Sequence, residues 1–190
     1  AIKVLDKVAA LYGHEFIYDD VLAGGCAIDV YGTSLPQESL DKCLASDSVL
    51  LGAVGGPKWD KCDPSIRPEK ALLGIRKALG LYANLRPALI YPQLANTSPL
   101  RSEIVVNGID FMVVRELISG VYFGNRKTEE VDGELVAIDE LKYTQSEIEA
   151  IAHSAFKIAQ KRNKKVTFVD KANVLDTSRL WRKVVHEVAK

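Results

Sequence analysis

The sequence predicts an α/β fold, because segments with the pattern of strands alternate with segments that have the periodicity of helices. Val49–Val54 is a short continuous apolar run, which is typical of a buried strand. Apolar residues recur at helical spacing on either side of it, from Leu35 to Ala45 and from Ala71 to Leu79. The order strand, helix, strand, helix, strand indicates a layered α/β structure.

The first half of the chain is predicted to open with a helix over Ile2–Leu11, which Gly13 ends, followed by a strand over His14–Leu22. Ala23–Gly25 is predicted to be a turn. Ser34 is a candidate cap for the helix that follows.

The later helix of this half begins near Pro68, which suits the first helical position because that position needs no N–H donor. Its predicted apolar face consists of Ala71, Leu72, Ile75, Ala78 and Leu79, and Gly80 stops it.

The second half is predicted to contain more strands and two further helices. The predicted strands are Leu81–Tyr91, Ile109–Leu117, Gly120–Gly124 and Lys165–Val169, with a polar loop at Leu94–Ser98 and an exposed β-arm tip at Asn125–Glu134. A capping box at Thr144–Glu147 opens one helix, and Arg179–Lys190 is the other.

Composition narrows the class of protein. The 190 residues suffice for one full core or two small lobes, and 25 basic residues balance 25 acidic ones. Zero net charge argues against a dedicated nucleic-acid binder, and no apolar run approaches the roughly 18 residues of a membrane span. Cys26, Cys43 and Cys62 are odd in number and lack CxxC spacing, which predicts a reducing, cytoplasmic setting.

The chain opens inside a predicted helix, so we expect it to be a segment of a longer protein.

One edge of the Pro68 helix combines a carboxylate, apolar side chains and a guanidinium. On a helical wheel Glu69, Leu73 and Arg76 fall together, with Leu72 shared between this edge and the apolar face. Arg86 lies within an apolar strand, where a charge needs a partner. The two arginines near leucines predict a site for a carboxylate ligand with an apolar substituent. The alternative is two ordinary salt-bridged arginines.

Further candidate groups are Arg115, Tyr122 and Lys171. Three guanidinium groups suit a dicarboxylic acid, because each planar fork can bind carboxylate oxygens in a bidentate manner. A desolvated lysine among arginines can act as a base near neutral pH, and a tyrosine can deliver a proton. The alternatives are a salt bridge from Lys171 to Asp170 and a packing role for Tyr122.

Seven motifs spread along the chain are unusual in combination. They are GGCAID (Gly24–Asp29), LLGAVGGPKWD (Leu50–Asp60), RPEKALLGIRK (Arg67–Lys77), LYANLRPA (Leu81–Ala88), VVREL with GVYFG (Val113–Gly124), DKANVL (Asp170–Leu175) and SRLWRK (Ser178–Lys183). On these motifs the chain resembles, from end to end, the 3-isopropylmalate dehydrogenases of the β-decarboxylating dehydrogenase family.

The resemblance implies a reaction and a set of site residues. It implies NAD-dependent oxidation of the C2 hydroxyl of 3-isopropylmalate, loss of CO₂ and protonation of the enol, a step of leucine biosynthesis. Lys171 matches the family's base and Tyr122 its acid. The positions that match substrate-binding residues are Arg76, Arg86, Arg115, Leu72, Leu73 and Val174. Those that match the cofactor-binding segment are Gly56, Pro57, Lys58, Trp59, Asp60, Arg67, Pro68, Glu69 and Asn173.

The resemblance also implies a two-lobed sandwich that is incomplete here, with residues 1–81 in the cofactor-side lobe and residues 82–190 in the substrate and dimerisation lobe. It implies a homodimer in which Lys171 reaches the partner's site and a protruding β-arm over about Val121–Tyr143 helps dimerise. The family's first strand, its Mg²⁺- or Mn²⁺-binding aspartates and its adenosine-binding loop are not among these residues. A chain of these residues alone is therefore expected to be inactive.

Two alternatives stay open at this point. One is a related malate-type dehydrogenase acting on tartrate or an isocitrate-like substrate, although Leu72 and Leu73 offer no hydrogen bond to a third carboxylate. The other is an inactive fragment that binds carboxylates or dimerises. The sequence departs from the family pattern at Ile118 and Ser119, where a threonine and a first glycine are usual.

Overall fold

A computed structural model describes residues 1–190, with the exception of the side chain of Pro92. The chain divides into two compact units, Ala1–Leu79 and Gly80–Lys190. No helix in the described part of the chain is long and apolar enough to cross a membrane.

The first unit is built from helices. They are α1 (Ile2–Tyr12), α2 (Gly25–Tyr31), α3 (Gln37–Ala45) and α4 (Glu69–Ala78), with a short 3₁₀ turn at Pro57–Trp59. The predicted first helix is confirmed, and Gly13 ends it in the left-handed conformation with its N–H donating to the carbonyl of Ala9.

Two strands predicted in the first unit are not formed. His14–Leu22 and Val49–Val54 lie outside regular structure and are largely exposed. A strand requires a neighbouring strand to accept its backbone hydrogen bonds, and among the described residues of this unit there is none. Instead, the carbonyl of Val54 accepts the N–H of Gly25, the first residue of α2. The predicted turn at Ala23–Gly25 thus leads into a helix that the sequence pattern did not indicate.

Helices α3 and α4 are confirmed with small changes at their ends. Pro36, not Ser34, precedes the first turn of α3, and the buried Ser34 uses its carbonyl to accept the N–H of Gly24. In α4, Ala71 and Ile75 are buried as predicted, whereas Ala78 is exposed because it lies at the end of the helix.

The second unit contains two separate antiparallel ribbons and three helices. The ribbons pair β1 (Ala83–Ile90) with β2 (Ile109–Glu116), and β3 (Arg126–Val131) with β4 (Glu134–Asp139). The helices are α5 (Ser102–Val105), α6 (Gln145–Gln160) and α7 (Asp176–Val188). The β3–β4 hairpin occupies the stretch predicted as the β-arm, and its residues are all exposed.

The core of the second unit lies between α6 and α7, where Ile148, Ala152, Val184 and Val185 are buried together. The predicted capping box is present at Thr144, which accepts the N–H of residue 147 and donates its own N–H to that residue's carboxylate.

Two further strand predictions are wrong. Gly120–Gly124 is a turn in which the N–H groups of Phe123 and Gly124 both donate to the carbonyl of Gly120. Lys165–Val169 makes no strand ladder; its Phe168 stacks on Trp181 with ring centroids 5.8 Å apart. Among the described residues no neighbouring strand pairs with either segment, although the N–H of Gly120 donates to the carbonyl of Lys142. The predicted loop at Leu94–Ser98 largely belongs to a 3₁₀ segment over Pro92–Thr97.

Candidate functional site

Helix α4 presents the predicted edge on the surface of the first unit. Glu69 and Leu73 are exposed, while Leu72 and Arg76 are half-buried. The buried residue Ile75 packs the opposite side of the helix into the unit. The carboxylate, the leucines and the guanidinium are therefore all accessible along one edge.

The cofactor-side loop lies against the start of α4. A Cβ built on Gly55 would lie 3.4 Å from Pro68 Cβ and 3.5 Å from Glu69 Oε1. These are ordinary van der Waals distances, so the loop lies against the first turn of the helix without requiring a glycine at position 55. Gly56, next in the loop, is extended and precedes the 3₁₀ turn that carries Lys58 and Trp59.

Asp29 anchors this loop, although the sequence pattern gave it no role. Lys58 Nζ donates to Asp29 Oδ2 over 2.6 Å, and Trp59 Nε1 donates to Oδ1 over 3.2 Å. The Lys58 hydrogen bond holds the pKa of the Asp29 carboxyl below its usual value. The indole also covers Gly25, where a Cβ would meet the ring at 2.5 Å. The only signal in the sequence was the GGCAID motif, which contains both Gly25 and Asp29.

In the second unit, β1 and β2 bring two of the predicted arginines to one face. Asn84 is paired with Arg115 across the ribbon, and Arg86 lies two residues beyond Asn84 on β1. Directly paired residues share a face and side chains alternate along a strand, so all three side chains project from the same face. Arg86 Nε donates to Asn84 Oδ1 over 2.6 Å. Arg86 and Arg115 are diagonal neighbours across the ribbon, and residues in such positions lie roughly 7–8 Å apart.

Arg86 is exposed, which corrects the expectation that its charge was enclosed by an apolar strand. A two-stranded ribbon leaves part of each face open, so an apolar sequence does not ensure burial. Among the residues that the structure describes, Arg76, Arg86 and Arg115 form no ion pair with a carboxylate. The three guanidinium groups thus keep their capacity to bind an anion.

Tyr122 lies next to Arg115. The Arg115 guanidinium carbon is 5.3 Å from the centroid of the Tyr122 ring, which is cation–π geometry. The Tyr122 backbone is held by Arg126, whose Nη2 donates to the Tyr122 carbonyl. Tyr122 itself is 59% exposed, so its hydroxyl can reach a bound molecule.

Lys171 is exposed at the start of a turn that leads into α7. The predicted alternative of a salt bridge to Asp170 is wrong, because that carboxylate is bound by both Nε and Nη2 of Arg182, at 2.9 and 2.8 Å. In the described part of the chain the Lys171 amino group has no ion-pair partner. Asn173 and Val174 follow in the same turn and are exposed.

The predicted residues are distributed over both units. The first unit holds the α4 edge and the cofactor-side loop, including Asp60 and Arg67, which are both exposed. The second unit holds the Arg86–Arg115–Tyr122 group and, separately, the Lys171 turn.

A large apolar groove of the second unit, with a volume of about 920 Å³, is lined by β2, α6 and α7. Phe111, Phe156 and Trp181 line it, and Lys171 and Arg115 do not. The candidate site is therefore a set of exposed polar faces and not this groove.

A divalent metal has no site within the described residues, where no group of three or more His, Cys, Asp or Glu side chains is suitably placed. The residues present therefore do not fit the metal by themselves.

Comparison with known proteins identifies the class. The family profile described as isocitrate/isopropylmalate dehydrogenase matches residues 1–190, so the chain belongs to that family. It is 60% identical over 190 residues to the 3-isopropylmalate dehydrogenase of Clostridium pasteurianum and 60% identical over 189 residues to that of Helicobacter hepaticus. Both alignments cover 100% of this chain and 53% of the relative. The chain thus spans about half the length of the curated relatives it matches.

Solved structures show the same relationship. A β-decarboxylating dehydrogenase from Thermococcus kodakarensis superimposes with a TM-score of 0.66 at 30% identity, over 99% of this chain and 51% of that one. An isocitrate dehydrogenase from Methylococcus capsulatus gives 0.70 at 29% identity, over 99% and 52%. The mixture of helices and strands is therefore that of the family.

Proposed function

We propose that the full-length protein is an NAD-dependent 3-isopropylmalate dehydrogenase that produces 4-methyl-2-oxopentanoate. The observation that carries this proposal is the β1–β2 face, where Arg86 and Arg115 project on the same side with Asn84 between them and Tyr122 beside Arg115. The relatives at 60% identity bear the name of this enzyme, which favours it over tartrate or isocitrate chemistry.

Substrate binding is assigned to the arginines and to the apolar edge of α4. Arg86 and Arg115 bind the malate carboxylates through charge-assisted hydrogen bonds, and Arg76 supplies a third guanidinium. Leu72, Leu73 and Val174 contact the isopropyl group. A third carboxylate placed against leucines would lose its hydration without gaining a partner, so isocitrate is disfavoured.

Proton movements are assigned to Lys171 and Tyr122. Lys171 takes the proton of the C2 hydroxyl as a base, and Tyr122 delivers a proton to the enol carbon after CO₂ has left. When bound, NAD would supply the acceptor for the hydride that leaves C2. The loop Gly56–Asp60, the segment Arg67–Glu69 and Asn173 contact the nicotinamide side of NAD.

The assembly is proposed to be a cytoplasmic homodimer in which Lys171 reaches the site of the partner. The exposed β3–β4 hairpin is assigned as an arm that contributes to dimerisation.

The test is NADH formation by the purified full-length protein with 3-isopropylmalate, NAD and Mg²⁺, and with isocitrate, tartrate and malate in parallel. Arg86→Met is expected to raise the KM for isopropylmalate at least tenfold, because a hydrogen bond to a charged group contributes about 1.5–3 kcal/mol. Arg101→Met is the matched control, since Arg101 is also exposed in the second unit and is paired with Glu103 at 3.0 Å. Absence of NADH formation with isopropylmalate, or a preference for isocitrate, contradicts the proposal.

A further inference from the structure

The motif Ser178–Lys183 has no role in the proposed site, yet three of its side chains, those of Ser178, Arg179 and Arg182, contact the Lys171 turn. Helix α7 begins at Asp176, so residues 178 and 182 are one turn apart and lie on the same side. Arg182 donates from Nε to Asp170 Oδ2 over 2.9 Å and from Nη2 to Oδ1 over 2.8 Å. This bidentate geometry fixes the direction of the Asp170 carboxylate as well as its distance.

Two further side chains of α7 hold the residues next to Asp170. Ser178 Oγ accepts the backbone N–H of Lys171 over 3.1 Å. Arg179 Nη1 donates to the carbonyl of Ala172 over 3.1 Å. Three consecutive residues, 170 to 172, are therefore each bound to α7, and the residue in the middle is Lys171.

Hydrogen bonds within the turn also fix its backbone. Asp170 Oδ1 accepts the N–H of Ala172 over 3.0 Å. The carbonyl of Lys171 accepts the N–H groups of Val174 and Leu175. Both backbone groups of Lys171 are thus satisfied, and only its side chain is free to extend into solvent.

Asp170 and Lys171 differ in burial, which distinguishes the side chain that supports the turn from the side chain that is exposed to solvent. The Asp170 side chain is 7% exposed, whereas Lys171 is an exposed residue. Helix α7 is itself fixed to the unit, because Val184 and Val185 are buried in the core between α6 and α7. A rigid helix therefore supports an exposed lysine through a nearly buried carboxylate.

We propose that Arg182 is a positioning residue that acts through Asp170 to hold the backbone of Lys171, so that the lysine amino group is presented in one direction. This inference rests on the proposed function, in which Lys171 is the base. Displacement of a catalytic group by about 1 Å can reduce the rate by about 100-fold. The hydrogen bonds from α7 to residues 170–172 fix the position of this backbone before substrate binds.

The test compares Arg182→Met with Lys183→Met in the full-length enzyme. Lys183 is the next residue of α7, is exposed, and makes no ion pair among the described residues, so its replacement removes the same charge without touching Asp170. Arg182→Met is expected to lower kcat about 10- to 100-fold with the KM for isopropylmalate changed less than about twofold. Arg182→Lys, which keeps the charge but not the fork, is expected to recover part of the loss.

A double-mutant cycle separates positioning from general damage to the fold. If Arg182 acts only through Lys171, then adding Arg182→Met to Lys171→Ala lowers the residual activity by less than about twofold. Ser178→Ala removes only the acceptor for the Lys171 N–H and leaves the carboxylate paired. It is expected to lower kcat by a few-fold, and it keeps the test open if Arg182→Met does not fold.

The outcomes distinguish the inference from the proposed function. An inactive wild type contradicts the proposed function. If the wild type is active and the Lys171→Ala variant is equally active, then Lys171 is not the base, and the positioning role of Arg182 is overturned as well. If Lys171→Ala is inactivating but Arg182→Met and Ser178→Ala leave kcat unchanged, or if the Arg182 loss is the same in both backgrounds, the function stands and the positioning role is overturned.

Discussion

The guanidinium of Arg115 lies over the ring of Tyr122, with 5.3 Å between the guanidinium carbon and the ring centroid. Arg115 is near the end of β2, and Tyr122 is in the turn at Gly120–Gly124 that follows it. The contact therefore links a carboxylate-binding candidate to a proton-donor candidate without using the tyrosine hydroxyl. The Tyr122 side chain is exposed, so its hydroxyl is accessible from solvent.

Tyr122→Phe is expected to lower the rate of isopropylmalate turnover by about 100- to 10,000-fold, because it removes only the proposed proton donor. The ring that contacts Arg115 is retained, so the Kd for isopropylmalate should stay close to that of the wild type. Turnover is measured by NADH formation and binding by calorimetry. Tyr82→Phe, which removes a hydroxyl bonded to Ser154 Oγ at 3.0 Å, serves as the control. Unchanged turnover in Tyr122→Phe would assign the proton donation to another group.

Leu73→Ser is expected to weaken the preference for isopropylmalate over malate. Leu73 is 37% exposed on the α4 edge, and losing the proposed contact with the isopropyl group should lower the kcat/KM ratio of isopropylmalate to malate about 10-fold or more. Leu44→Ser is the matched control, since Leu44 is also a partly exposed helical leucine of the first unit. An equal change of the ratio in both variants would show that Leu73 does not contact the substituent.

The Asp170–Arg182 pair predicts a pH dependence of stability. Hydrogen bonding from Arg182 holds the pKa of the Asp170 carboxyl below its ordinary value of 3.8. The stabilisation is therefore fully present above about pH 5, where the unfolded carboxyl is also ionised, and is lost as the pH falls through the lower folded pKa. Urea unfolding at pH 7, 5 and 3 should show wild type more stable than Asp170→Asn, with the difference shrinking at pH 3. A difference that is constant with pH would show that this carboxyl does not titrate as a bound group.

Gly120 has a backbone φ of +82°, and a Cβ there would lie 2.4 Å from the Tyr143 hydroxyl oxygen. Gly133 has a φ of +83° and nothing within 4 Å of the same position. Both alanine variants incur the left-handed backbone strain, but only Gly120→Ala also crowds a neighbour. Gly120→Ala is thus expected to lower the free energy of unfolding by about 1–3 kcal/mol more than Gly133→Ala. Equal losses in thermal or urea unfolding would show that Tyr143 moves aside freely.

Much of the local structure could be predicted from the sequence. Helices such as α4 and α6 were recognisable, because the periodicity of their apolar residues and their N-terminal signals are local properties. Strands were predicted less well. β1 and β2 formed, whereas Val49–Val54 and Lys165–Val169 did not, because a strand depends on a distant partner that its own residues do not specify.

The motifs by themselves determined the family of this protein and the identity of its candidate site residues. How those residues are held is evident from the three-dimensional structure, in which Arg86 and Arg115 share one face and Asp170 pairs with Arg182 and not with its neighbour Lys171. The physical reason is that sharing a face follows from strand register, and the partner of a carboxylate follows from which helix packs beside it. Both are set by contacts between segments far apart in the chain.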